Sequence, residues 1–269
     1  MPEPAAFTIL STDMWLNHPC GRLFARVWVP SVDTNRSEQK APIVLFHDSL
    51  GCVDLWRDFP GSLSVATGRR VIAYDRHGFG RSDPRRDTLG MDFIADEAER
   101  YFPVVREQLG IHRFIALGHS VGGGMAVNCA ARFSTDCEAL VTIAAQFFPE
   151  DRTLQGIRVA KEQFKDEKQV ERLKIYHGDK ARWVLDAWIE TWLHPEFAAW
   201  SLASALPQVS CPVLAIHGTH DEYGSVRHPE LIGEFSGGPV QVEIIPDTYH
   251  MPHRELPKTA IELVSAFVA

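Results

Sequence analysis

No stretch of Lys and Arg in these 269 residues is long enough to track a phosphate backbone, and 27 basic residues face 35 acidic ones, a formal net charge of -8. A protein that holds nucleic acid by neutralising phosphates needs the opposite balance on at least one face, so nucleic acid is not an expected partner. Long hydrophobic runs are missing as well. The longest apolar stretch, Ala139–Phe148, reaches about half of the ~20 residues that a membrane-spanning helix needs. Cysteine is sparse: Cys20, Cys52, Cys129, Cys137 and Cys211 are an odd number, scattered, with no C-x-x-C pair. That argues against a zinc ribbon or a thioredoxin-type redox site. The opening Met1-Pro2-Glu3-Pro4 lacks the basic, apolar and small-residue succession of a secretory signal. Reduced thiols in a cytoplasm are therefore the expectation. The chain is 45% hydrophobic and 23% charged, the balance of a soluble globular protein with a full core, which excludes wholesale disorder.

Short apolar runs rich in β-branched residues recur at Leu23–Val29, Pro42–Phe46, Val71–Tyr74, Phe114–Leu117, Ala139–Ala144, Val213–Ile216 and Val240–Ile245. Each has the length of a strand, and the unbroken run Pro42–Phe46 predicts a buried central one. Helical periodicity covers Val53–Ala66, Met91–Leu109, Val121–Arg132 and Pro257–Val268. Strands alternating with helices predict parallel pairing, because a parallel connection must cross over and a helix is the usual crossover. The expected fold class is α/β, a mostly parallel open sheet with helices on both faces. Over sixty residues between Ala145 and Pro212 break the alternation, and two or three helices fit there. In Ala181–Leu193, a broad apolar stripe (Val184, Leu185, Trp188, Ile189, Trp192, Leu193) lies opposite Asp186 and Glu190. Without repeats or linkers, residues 1–269 read as a single domain with 147–207 as an inserted helical cap.

The strongest local signal is Gly118-His119-Ser120-Val121-Gly122-Gly123, between an apolar strand and a helical run. G-x-S-x-G in that setting is a nucleophile elbow: the turn is so tight that residues two before and two after the serine must lack side chains. It would lift the Ser120 hydroxyl above the sheet at a helix N-terminus, where the Val121 N–H faces any oxyanion that forms. A glycine-rich turn with a bystander serine is the bland alternative. Two further loops weigh against it. Asp221 follows the Val213–Ile216 strand and His250 follows the Val240–Ile245 strand, at the edge where open α/β sheets place their sites. A serine, an acid and a histidine in this order supply nucleophile, orienting carboxylate and base.

On these residues the chain resembles the α/β-hydrolase family from about Gly21 to Val268. Tyr74-Asp75-Arg76-His77-Gly78-Phe79-Gly80-Arg81-Ser82-Asp83 is similar to that family's D-x-R-G-x-G-x-S loop, with His77 standing between the Arg and the Gly. His250-Met251-Pro252-His253-Arg254-Glu255 resembles its G-H-x-P-H-x-E ending, with Tyr249 in place of the glycine. The resemblance implies that His250 is the base. It also implies a second oxyanion donor in the loop after Pro42–Phe46, where relatives read H-G-x-x-G and this chain reads His47-Asp48-Ser49-Leu50-Gly51. By register the donor is the Ser49 N–H, or one residue on, Leu50. Asp48 is the sharpest departure: a carboxylate there opposes an oxyanion unless it turns away or is hydrogen-bonded, and capping the next turn would do that. The Asp48–Gly51 phrase also resembles the N-S-L-G loop of enol-lactonases.

The implied activity is that of a serine hydrolase. Ser120 attacks a carbonyl, His250 takes its proton, Asp221 orients the imidazole, Ser49 and Val121 N–H groups hold the oxyanion, and water releases the acid. A small carboxylic ester or lactone is the central expectation, with no metal or organic cofactor, because each role has a protein group to fill it. Three other readings stand beside it: carbon–carbon bond hydrolysis of ring-cleavage products, cofactor-free haloperoxidase or perhydrolase activity, and a non-catalytic ligand receptor. An apolar or aromatic small molecule is the expected partner, met by Leu50, His119 and the cap tryptophans Trp183, Trp188 and Trp192. His253 is the rival base, Asp75 and Glu222 the rival acids. Arg76 and Arg81 could meet an anion or pair internally. His217 and His220 show no metal-ligand spacing.

Overall fold

Alternate side chains of a strand point to opposite faces, and here both faces of the central strands are buried. Ile43, Leu45, Ile115, Leu117, Val141 and Leu214 pack into one apolar layer, while Val44, Phe46, Phe114, Ala116, Leu140 and Val213 pack into the other. A sheet apolar on both sides needs helices on both sides. The computed structural model describes residues 9–30 and 40–269; the opening residues 1–4, read above for a secretory signal, lie outside them.

The strands are β1 (Ile9–His18), β2 (Gly21–Pro30), β3 (Ile43–Phe46), β4 (Val71–Tyr74), β5 (Phe114–His119), β6 (Cys137–Ile143), β7 (Val213–Gly218) and β8 (Val240–Ile245). They form one sheet in the order β1-β2-β4-β3-β5-β6-β7-β8. Strands β3 to β8 pair in parallel, and β1 and β2 join at one edge by antiparallel ladders. The α/β class with a mostly parallel sheet is as expected. Strand β1 was not foreseen: seven of its first residues are exposed, so it carries no continuous apolar run.

The helices are α1 (Phe59–Thr67), α2 (Phe93–Asp96), α3 (Phe102–Gln108), α4 (Val121–Arg132), α5 (Asp151–Gln163), α6 (Glu167–His177), α7 (Ala181–Trp192), α8 (Arg227–Phe235), α9 (Pro252–Glu255) and α10 (Pro257–Phe267). The expected helix Val53–Ala66 is broken. A 3-10 turn, Val53–Trp56, ends at Arg57 with φ 53°, and α1 restarts with Pro60 in its first turn, where a missing N–H costs nothing. The expected Met91–Leu109 helix passes through a π turn, Glu97–Tyr101, just before Pro103, which cannot donate to the ladder. Among the described residues no helix is long and apolar enough to cross a membrane.

Candidate active site

Parallel strands end together, so the loops after β5, β7 and β8 meet at one edge of the sheet. Ser120 sits in the sharp turn between β5 and α4 with φ 55° and ψ -127°. Only close packing sustains a non-glycine residue there. The flanking glycines explain how: a methyl on Gly118 would overlap the Gly122 carbonyl, and one on Gly122 would overlap the Phe46 and His47 carbonyls. The Ser120 N–H donates to the Ile143 carbonyl at 2.9 Å and the Gly123 N–H to the Ser120 carbonyl at 2.8 Å.

Ser120 Oγ lies 3.0 Å from His250 Nε2, and His250 Nδ1 lies 2.9 Å from both Asp221 oxygens. All three residues are buried. Asp221 Oδ1 also accepts the Tyr223 N–H at 2.8 Å and the Gly224 N–H at 3.1 Å, and His217 Nε2 stands 3.3 Å from Oδ2. Burial raises the pKa of Asp221, but its bond with His250, the charges of His250 and His217 and the backbone N–H outweigh burial and hold it below 3.8. Burial pulls His250 down; the Asp221 bond and charge, with Glu222 and Asp48 behind them, reverse this and hold it above 6.5. A neutral imidazole with Nδ1–H fixed on a carboxylate leaves Nε2 as the acceptor facing the serine.

A family model described as the alpha/beta hydrolase fold matches residues 41–187, more than half of the chain. The chain belongs to this family. Over 130 residues it is 35% identical to 1-acylglycerol-3-phosphate O-acyltransferase ABHD5 of Sus scrofa, covering 46% of this chain and 35% of that protein. Over 115 residues it is 33% identical to the bifunctional esterase/perhydrolase DCH of Acinetobacter calcoaceticus, covering 42% of this chain and 37% of that protein. The match thus spans little more than a third of the length of these relatives. Among solved structures, a membrane phospholipase A described as a bacterial virulence factor has a TM-score of 0.76 at 21% identity, covering 96% of this chain and 86% of that one. The 2-hydroxy-6-oxo-6-phenylhexa-2,4-dienoate hydrolase of Rhodococcus sp. strain RHA1 has a TM-score of 0.75 at 15% identity, covering 97% of this chain and 100% of that one. At these identities the likeness is one of fold.

In this α/β-hydrolase frame the loop after β3 lies beside Ser120. The Leu50 N–H donates to Asp48 Oδ1 at 2.9 Å and the Gly51 N–H to the Asp48 carbonyl at 3.2 Å. Among the described residues the Ser49 N–H has no acceptor, so Ser49 rather than Leu50 has a donor to offer. The Val121 N–H, at the first position of α4, has no partner within the helix either. Asp48 caps the turn, and its other oxygen stands 3.3 Å from His119 Nδ1, while His119 Nε2 faces the His250 carbonyl at 2.8 Å. The ring thus stands between the Asp48 carboxylate and the His250 carbonyl. Burial would raise the Asp48 carboxyl; the His119 bond, the charges of His119 and His47 and the Leu50 N–H overcome this and hold it well below the carboxylate range.

A cavity of about 110 Å³ opens onto Ser120 and His250. Of the residues expected at a substrate, Leu50, His119, Trp188 and Trp192 line it. Trp183 does not: its ring packs on Gly78 and Phe79 and its Nε1 donates to the Asp87 carbonyl at 3.0 Å. It occupies the helix face that binds the loop after β4, whereas Trp188 and Trp192 occupy the face over the site. Gln146, Thr153, Ile157, Tyr223 and Met251 also line the cavity and were not anticipated, although Gln146 is the first polar side chain after the β6 apolar run. The rivals fall elsewhere. His253 is buried among Trp56, Phe59 and His119, Asp75 accepts the Val53 and Arg81 N–H groups at 2.6 and 2.7 Å, and Glu222 accepts the His250 N–H at 3.3 Å. Arg76 donates to the Asp48 carbonyl and Arg81 pairs with Asp13 and Asp54, so neither reaches the cavity. Among the described residues no group of three or more His, Cys, Asp or Glu could hold a metal.

Proposed function

We propose that this protein is a serine hydrolase that cleaves a small, uncharged carboxylic ester or lactone through an acyl-enzyme on Ser120. The observation that carries the reading is the unbroken chain of contacts from Ser120 Oγ to His250 to Asp221, 3.0 and 2.9 Å long, at the floor of a largely apolar cavity. As Ser120 attacks, His250 Nε2 takes its proton and Asp221 stabilises the resulting imidazolium. The N–H groups of Ser49 and Val121 receive the oxyanion, a contribution that typically amounts to ~10²–10³ in rate per donor. His250 then protonates the leaving oxygen and, in the second half, activates water to release the acid. The engagement of both Asp48 oxygens, Oδ1 by the Leu50 N–H and Oδ2 facing His119, supports this assignment, because it turns the carboxylate away from the oxyanion.

The cavity is small beside the roughly 300–1,000 Å³ of sites for drug-sized ligands, which favours a short acyl group over a long lipid chain. Among the described residues no Lys or Arg lines it, which counts against a carboxylate-bearing ring-cleavage product or a phosphate-bearing acceptor. The helices α5, α6 and α7 serve as the cap over this cavity, and the unpaired state of the cysteines fits a cytoplasmic setting. A fluorophosphonate probe tests the reading. Labelling at pH 8 that disappears in Ser120→Ala, together with turnover of p-nitrophenyl acetate, is expected. Absence of both would favour a receptor that keeps the pocket without the chemistry.

A further inference from the structure

Gln146 stands out in the wall of this cavity. It is 3% exposed, it follows the end of β6, and it shares the cavity with the carbon surfaces of Leu50, Ile157, Trp188, Trp192 and Met251. Its Oε1 lies 3.4 Å from Ser120 Oγ. The single hydroxyl hydrogen of Ser120 is needed by His250 Nε2, 3.0 Å away, so it cannot also serve Gln146 when the site is poised to react. A primary amide has two N–H donors and one carbonyl acceptor. In the orientation described, neither N–H has an acceptor among the described residues. With the amide turned over, one N–H donates to Ser120 Oγ and the other still has none. Thr153, also in the cavity wall, donates to the Tyr223 carbonyl at 2.5 Å and makes no bond with Gln146. The amide faces the cavity, where water can meet its N–H groups in the empty site, and a bound substrate that displaces this water must offer an acceptor in its place.

We propose that Gln146 selects the acyl group: its amide N–H donates to an oxygen on the α-carbon, two bonds from the scissile carbonyl carbon, so the preferred substrates are uncharged esters of short α-alkoxy or α-hydroxy acids. This rests on the serine-hydrolase reading above. The geometry sets the position of that oxygen. Once Oγ has bonded to the carbonyl carbon, the α-carbon is two bonds from Oγ, and a substituent on it lies within reach of an amide 3.4 Å from Oγ. Charge sets its kind. With no Lys or Arg among the described lining residues, a carboxylate finds no cation there, whereas an ether or hydroxyl oxygen needs only the amide N–H. The analogue without the oxygen displaces the water from the amide and returns no acceptor, so it is the poorer substrate by about the net worth of one hydrogen bond.

The test compares p-nitrophenyl methoxyacetate with p-nitrophenyl butanoate, equal in length and differing by one oxygen for one methylene. Each kcat/KM is divided by the ester's own hydroxide-catalysed rate. The parent is expected to prefer the methoxyacetate by about tenfold, the worth of one net hydrogen bond, and the preference is expected to fall to about one in Gln146→Met and in Gln146→Glu. Gln146→Leu stands in if the first does not fold, as judged by its thermal melt. No preference in the parent, or an equal preference in the variants, overturns the proposal. So does a variant that hydrolyses neither ester, since Gln146 would then serve the reaction rather than its selectivity. A Gln146-dependent preference for 2-methoxyethyl acetate over butyl acetate would move the contact to the leaving group and overturn the acyl assignment. If Ser120 labels with fluorophosphonate but neither acyl ester is turned over, this proposal alone fails; if Ser120 does not label either, the hydrolase reading fails with it.

Discussion

Replacing Asp221 by Asn tests the proposed chemistry at the point where the hydrogen bonds determine the outcome. Oδ1 of Asp221 receives the Tyr223 and Gly224 N–H groups at 2.8 and 3.1 Å. An asparagine in the same place must present its carbonyl to those two donors, which puts its NH₂ where Oδ2 now stands. That position is 2.9 Å from His250 Nδ1 and 3.3 Å from His217 Nε2, while Oδ1, also 2.9 Å from Nδ1, has both lone pairs taken by the Tyr223 and Gly224 N–H groups. The amide then donates to Nδ1, the imidazole proton moves to Nε2, and Nε2 faces Ser120 as a donor rather than an acceptor. The same exchange of tautomers in serine proteases lowers kcat ~10⁴-fold, equivalent to about 5 kcal/mol of transition-state stabilisation, and a loss of that order is expected here. Because Asn fills the same buried volume, the thermal midpoint should move far less than the activity.

The pH profile gives an independent readout. Activity needs neutral His250, so kcat/KM rises as pH passes upward through the His250 pKa. In the parent, Asp221 holds that pKa above 6.5 against burial, and the acid limb should have its midpoint above that value. With the charge removed, burial prevails and the limb of the residual activity should move to lower pH. Turnover of p-nitrophenyl acetate by Asp221→Asn within tenfold of the parent would refute the reasoning. A large loss in Asp75→Asn or Glu222→Gln instead would identify which acid had been mistaken.

Gly122→Ala should cost about 1–3 kcal/mol in a denaturant titration, the usual penalty for overpacking, because its methyl meets the Phe46 and His47 carbonyls and no rotamer relieves a backbone overlap; fluorophosphonate labelling of Ser120 should slow with it. His177→Ala should lower kcat more than its stability loss explains, since Nε2 bonds the Leu50 carbonyl at 3.0 Å and Nδ1 accepts the Gly80 N–H at 2.9 Å, holding the loop that carries Ser49. His177→Gln, which keeps one of those bonds, should recover part of kcat. Asp75 should appear in the pH dependence of stability. Burial, opposed by the Arg81 and Val53 N–H groups, raises its carboxyl from 3.8 to about 6. The folded protein therefore binds a proton that the unfolded chain lacks in that window, and stability should fall by about 3 kcal/mol as pH rises through it. Chemical denaturation between pH 4 and 6.5 should show this slope in the parent and a flatter one in Asp75→Asn.

The loops that carry Ser120 and Asp221 could be read from the chain because each follows a continuous apolar strand, and the His250 loop because it follows the alternating run Val240–Ile245; a parallel sheet puts the ends of such strands on one edge. The elbow was legible for a local reason, the exclusion of side chains at Gly118 and Gly122. Strand β1 was not legible, since an edge strand with seven exposed leading residues has neither an apolar run nor a clean alternation. The break at Arg57 was hidden because the apolar spacing continues across it, and only Pro60 hinted that the helix begins afresh. Trp183, Trp188 and Trp192 share a helix of one apolar stripe, and periodicity cannot say which part of a broad stripe faces a cavity and which faces a neighbouring loop. Gln146 escaped notice because a lone polar residue after a strand becomes meaningful only once the cavity beside it is seen.

The helices between β6 and β7 are tied to the loops after β3, β4 and β7 beside the candidate site. At their start, Glu150 accepts from Ser225, Arg152 donates to the Asp221 carbonyl at 3.1 Å and Thr153 to the Tyr223 carbonyl. Further along, His177 bonds the Leu50 carbonyl, Lys180 the carbonyls of Phe79 and Ser82, and Trp183 that of Asp87. A lid that swung open as a rigid body would break all of these bonds together, most of them part-buried, and such bonds contribute about 1 kcal/mol each even after water takes their place. Opening on that scale is therefore costly, and these helices act as a fixed wall whose position is shared with the acid and the oxyanion loop. A substitution that resized the cavity by moving α5 or α7 would also shift Asp221 or Ser49, so a change in substrate range should carry a change in kcat. Substitutions of side chains on the wall itself, such as Ile157 or Trp188, should alter substrate choice with kcat largely preserved.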